Sequence, residues 1–134
     1  MLSVKILNMK HFFTLSLLVT CLSSFAVYIR IEDVIAAMKS GNATTVAKYF
    51  DNSVEISMPS KSNSYSKSQA ELVLKDFFAS NSVKSFDIIH KGENAGSQYC
   101  IGTLQTKNGT YRTTIFMKQK GDKQVLQELR FENR

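Results

Sequence analysis

Apolar residues recur at helical spacing early in the chain and alternate with polar residues later. Ile31, Val34, Ile35 and Met38 share one face of a helix over "IEDVIAAMKS", residues 31–40. Gly41 suits the left-handed position that ends such a helix. Asn42 caps a second, short helix in "ATTVAKYF", burying Val46, Ala47 and Phe50. Val54, Ile56 and Met58 then alternate as a strand does. Pro59 and the polar "SKSNS" predict a turn, and Tyr65 falls in a short returning strand. Ser66 with Gln69 forms a capping box for a main helix over 67–81, with Ala70, Val73 or Leu74, Phe77 and Phe78 facing the core. From Lys84 to Arg134 the pattern is a four-strand meander, broken at "ENAGS", Asn108-Gly109 and Gly121-Asp122. The order α-α-β-β-α-β-β-β-β predicts an α+β domain, with helices on one face of a curved, mainly antiparallel sheet.

Turn chemistry extends this pattern to a register. Asn-Gly between alternating runs is a strong hairpin signal. With Asn108-Gly109 as a two-residue loop, Thr106 faces Tyr111, Leu104 faces Thr113, Gly102 faces Ile115 and Cys100 faces Met117, all under the helices. Tyr99, Ile101, Arg112, Phe116 and Lys118 share the opposite face. A plain Gly121-Asp122 turn would put Glu128, Arg130 and Glu132 inside, at a cost of several kcal/mol. A bulge or odd-length turn near Lys120–Lys123 is therefore expected, turning Val125, Gln127, Leu129 and Phe131 inward. Glu128 and Glu132 should then meet Arg112 and Lys118 outside. A tight "ENAGS" connection places Phe86 opposite Leu104, Ile88 opposite Gly102 and His90 opposite Cys100.

The N-terminal segment changes the domain count. Residues 1–26 have the order of a secretory signal: Lys5 and Lys10, an apolar run from Phe12 to Val19, then Ser24-Phe25-Ala26 as a small-x-small cleavage pattern. The run is shorter than the roughly 20 apolar residues that span a bilayer. Residues 27–134 then form one domain, exported to the periplasm or beyond. Cys21 would be a lipid anchor only through a poor lipobox, because Thr20 stands where a small residue is usual. The mature chain has fifteen Lys and Arg against eleven Asp and Glu, a net charge of +4. These basic residues are scattered, which argues against nucleic-acid binding. One His and one Cys, His90 and Cys100, remain, too few for a tetrahedral N/S metal site. No cofactor motif is recognisable.

Several blocks in order, "AAMKSGNATTVAKYFDNSVEISM", "YSKSQAELVLKDFFASN", "SQYCIGTLQTKNGTYRTTIFMK" and "QELRFE", resemble the bacterial family called domain of unknown function 4783. The resemblance runs from about Ile31 to Glu132. It implies export and the nuclear transport factor 2-like (NTF2-like, or cystatin-like) cone, and it implies no reaction. At superfamily level the fold hosts isomerases, dehydratases, binding domains and dimerisation modules, so fold alone does not choose among them.

Three functions follow as expectations. The first is a noncatalytic module that binds a small ligand or a protein, with Tyr49, Tyr65, His90, Cys100 and Tyr111 lining the open end of the cone. Aromatic and imidazole chemistry without an acid/base pair carries it, although half-buried packing explains each tyrosine equally simply. The second is a dimerisation module pairing through Tyr99, Ile101 and Phe116. The third is an isomerase- or dehydratase-like enzyme, which needs a carboxylate inside the cone. Asp51 is the candidate by position, in "AKYFDNSVEISMP", but turn hydrogen bonding suits it better. A Cys100–His90 nucleophile pair is the sharper reading of those two residues, and a small buried thiol beside a half-buried imidazole is the plainer one.

Overall fold

The computed structural model describes residues 29–134. The expected signal segment and Cys21 lie outside the described residues. Helices α1 (Ile31–Ser40), α2 (Ala43–Ala47) and α3 (Lys67–Ser80) accompany strands β1 (Phe50–Ser57), β2 (Ser62–Ser66), β3 (Val83–Asn94), β4 (Ser97–Thr106), β5 (Gly109–Lys120) and β6 (Lys123–Asn133). The strands form a single sheet in the order β2-β1-β6-β5-β4-β3. All pairings are antiparallel except β1 with β6. The helices cover one face of this sheet, as the sequence order predicts. Among the described residues no helix is long and apolar enough to cross a membrane.

Local chemistry sets the helix ends. Gly41 takes the left-handed conformation (φ 65°) after α1. The Asn42 side chain accepts from Thr45 N, and Ser66 and Gln69 form the expected capping box. The start of α1 is tied to the sheet, where Ile31 N donates to the buried Gln98 Oε1 at 3.1 Å. The short helix α2 ends earlier than its pattern predicts. Lys48 and Tyr49 turn the chain, and Phe50 already begins β1, although Phe50 is buried as expected.

The interior is filled by side chains. Leu104, Ile115, Met117, Leu126, Leu129 and Phe131 from the sheet meet Val34, Met38, Val46 and Leu74 from the helices, all with no exposed surface. Phe77 closes the wider end, with its ring 4.5 Å from that of Phe131 and 5.2 Å from that of Tyr111. In β4 and β5 the face predicted to lie under the helices does so, but Val125 and His90, expected inward, face out and Leu126, expected outward, is buried, because the pairing register differs in three places.

The β4–β5 hairpin turns at Lys107-Asn108, so Thr106 pairs with Gly109, Leu104 with Tyr111, Gly102 with Thr113 and Cys100 with Ile115. The shift is two residues, so each side chain keeps its face. Tertiary bonds explain the change. Asn108 Nδ2 donates to Ser80 O at the end of α3, Lys107 N donates to Ser82 O, and Thr106 Oγ1 accepts from Asn108 N. Neither turn residue has positive φ, so the Asn-Gly conformational preference is not used here.

The predicted flip in β6 exists but lies further along. Gly121-Asp122 is a plain turn pairing Lys120 with Lys123, and the shift falls between Phe116 and Met117, where Gln127 is the extra residue. Gln124 and Leu126 therefore point inward before the bulge, and Leu129 and Phe131 after it. Glu132 stands opposite Arg112 as expected, whereas Glu128 pairs with Arg130 at 2.7 Å. Lys118 stands opposite Val125, not an acid.

The third difference is a bulge in β3 that separates His90 from Cys100. Phe86 and Ile88 face Leu104 and Gly102 as predicted, but Ile89 is extra, so His90 pairs with Ile101 and Lys91 with Cys100.

Candidate functional site

The five residues expected to line one ligand cavity occupy different surroundings. Cys100 lies in the core with no exposed surface, and burial pushes its thiol up to about 11. A protonated, enclosed thiol is a poor nucleophile. His90, moved to the outer face by the Ile89 bulge, joins its Nε2 to the Tyr99 hydroxyl at 2.8 Å. The Cys–His pair is thus replaced by two residues on opposite faces of the sheet. Tyr111 is committed to packing: its hydroxyl donates to Asn81 Oδ1 at 3.1 Å while Phe77 meets its ring edge-on. Tyr65 sits on the edge strand opposite Val54. Tyr49 lies at the other rim, where its carbonyl accepts from Leu126 N at 2.7 Å.

Asp51 is a structural tie. Its Oδ1 accepts from Lys120 Nζ at 2.9 Å and from Asn52 N at 2.7 Å, and its Oδ2 accepts from Gln127 Nε2 at 3.1 Å. These bonds join the start of β1 to the end of β5 and to the bulge of β6. The hydrogen bond from Lys120, partly opposed by burial, holds the carboxyl below its ordinary value. A firmly ionised, fully bonded carboxylate serves anchoring better than proton transfer. Among the described residues, the buried polar side chains are Asn81, Gln98, Thr106, Thr113 and Gln124, with no carboxylate or imidazole among them.

The outer face gathers the apolar residues that the inner face leaves over. Tyr99 stands directly opposite Phe116 on β5, and Ile101 lies between His90 and Thr114. The Tyr99 ring lies across Gly92, where a Cβ would come within 2.6 Å of it, so only glycine leaves the ring this place. Tyr99, Ile101 and Phe116 are half-buried, and Ile89, the extra residue before His90, is 57% exposed. Both signs of charge surround this strip: Asp87, Glu128 and Glu132 against Arg112, Lys118 and Arg130. Sequence reasoning found Tyr99, Ile101 and Phe116 by alternation. It put His90 on the opposite, inner face, because the Ile89 bulge carries no local signal.

Comparison with known proteins bears on the fold. No curated protein matches the chain. The solved structure of a DUF4783 family protein from Bacteroides uniformis ATCC 8492 is 33% identical, with a TM-score of 0.74 over 77% of this chain and 95% of that one. A DUF4783 protein from Bacteroides fragilis YCH46 is 31% identical, with a TM-score of 0.73 over 79% and 99%. An NTF2-like protein of unknown function from Cytophaga hutchinsonii shares the fold at 10% identity, with a TM-score of 0.57 over 78% and 86%. The family model described as "Domain of unknown function (DUF4783)" matches residues 31–132. With that span matched, and helices laid over one mixed sheet as in its relatives, the chain belongs to the DUF4783 family and has the NTF2-like fold.

Proposed function

We propose that this protein is an exported, noncatalytic binding module that pairs with a second copy through the outer face of its sheet. The observation that carries this reading is the division of apolar residues: the inner face holds the fully buried core, while Tyr99, Ile101 and Phe116 form a half-buried strip on the outer face. A two-fold contact needs a surface that complements itself. The mixed rim of Asp87, Glu128 and Glu132 with Arg112, Lys118 and Arg130 meets that need, since acid on one copy can lie against base on the other. The area is of the right order: four strands about 4.8 Å apart and about 34 Å long present on the order of 650 Å² in projection. Stable interfaces bury roughly 800 Å² per partner, and projecting side chains add to the flat area. Export rests on the signal-like order of residues 1–26.

Sedimentation velocity at micromolar concentration is the test. The expected result is a dimer that Phe116→Lys converts to a monomer of unchanged circular dichroism. A wild-type monomer at tens of micromolar would overturn the self-pairing reading.

A further inference from the structure

At the rim opposite the Phe77 cluster a recess of about 490 Å³ opens beside Tyr49, a volume in the range of small-molecule sites. Four lysines line it, each from a different place in the fold: Lys48 after α2, Lys67 at the start of α3, Lys120 at the end of β5 and Lys123 at the start of β6. One lining carboxylate, Asp51, opposes them, and it engages Lys120. Four ammonium groups against one carboxylate leave +3 in the lining. Lys48, Lys67 and Lys123 have no ion pair among the described residues, and the 28 residues before Ile29 contain no Asp or Glu to supply one. Gln124 also lines the recess, 5% exposed. Its Nε2 donates to Gly96 O and Gln119 Oε1, while its Oε1 has no partner among the described residues. Gly96 and Gln119 line the neighbouring recess, so this amide is held on that side. Tyr49 and Val125 supply apolar lining.

We infer that this recess binds a small phosphorylated group, with the lysines on the phosphate and Tyr49 and Val125 against its less polar part. Like charges collected around a concavity raise the local concentration of a multiply charged anion, and lysine serves phosphate as a point charge. The same chemistry is found in a free sugar phosphate and in the headgroup of phosphatidylglycerol.

The experiment titrates the protein with glucose 6-phosphate, with glucose as the uncharged control, and separately with phosphatidylglycerol and phosphatidylcholine vesicles. Saturable binding of glucose 6-phosphate, absent for glucose, is expected. It should weaken at least tenfold in Lys48→Gln/Lys67→Gln/Lys123→Gln, persist in Lys84→Gln/Lys107→Gln, and tighten in Asp51→Asn. Should the triple variant melt early, the three single Gln variants replace it, each weakening binding several-fold. Binding only to phosphatidylglycerol vesicles, lost in the same variants, would assign the site to a lipid headgroup. Binding to neither probe, or binding unchanged in the lysine variants, would overturn the inference.

Discussion

At the residue scale, the two side chains that most resembled catalysts are the two most firmly committed to structure. Cys100 is enclosed and its thiol is raised by desolvation, so it should resist a thiol reagent at pH 8 in the folded protein. Stopped-flow labelling is expected to proceed at the unfolding rate, and denaturant should accelerate it steeply; fast labelling without denaturant would contradict the burial. Asp51 makes a different prediction. Its ionised form is favoured by folding, so it adds stability above the ordinary aspartate value of 3.8 and loses that contribution as pH falls through its lowered native value. Asp51→Asn keeps an oxygen for Asn52 N but sets an amide against Gln127 Nε2. A loss of about 1 kcal/mol at pH 7 is expected from chemical denaturation. The gap between variant and wild type should close in acid, where the wild-type carboxyl is protonated too.

At the element scale, the sheet is governed by its bulges. Gln127 is the residue that changes which side of β6 faces the core, and it also donates to Asp51. Deleting Gln127 would force one half of β6 to present the wrong face. Either Leu129 and Phe131 turn outward or Gln124 and Leu126 do. The expected loss is more than 4 kcal/mol, enough to abolish a cooperative melt, because several fully buried side chains are displaced together. Deleting Lys61 from the exposed β1–β2 turn should cost far less. The helices, the strands and the two faces of β4 and β5 were legible in the sequence, because 3.6- and 2-residue periodicities and caps such as Ser66 with Gln69 are local signals. Residues 107–109, Ile89 and Gln127 were not legible. Asn108 departs from its usual hairpin role because Ser80, distant in sequence, accepts its amide. The bulge in β6 was required by charge, yet its position depends on β1 and β5 together. The candidate site suffered most, since one extra residue at Ile89 exchanges the face on which His90 lies.

At the scale of the whole molecule, the buried core lies under the helices and the half-buried strip of Tyr99, Ile101 and Phe116 lies on the outer sheet face. If two copies pair there, stability depends on protein concentration, because the partner binds only the folded form. The melting temperature should therefore rise with concentration from one to one hundred micromolar in the wild type and stay level in Phe116→Lys. The pairing of β1 with β6 is the other property of the whole, since it joins the β1–β2 hairpin to the β3–β5 meander.

That seam has a consequence in time. Strand β6 comes after the other five in the chain and yet lies between two of them. A chain emerging from the ribosome can form its first helices, one hairpin and the meander as separate pieces, but the sheet stays in two parts until residues 123–133 are made. Non-local pairing of this kind is slow. For a protein that is exported as proposed, the delay is useful: the polypeptide remains threadable through a translocation channel while it is being synthesised, and closes on the far side.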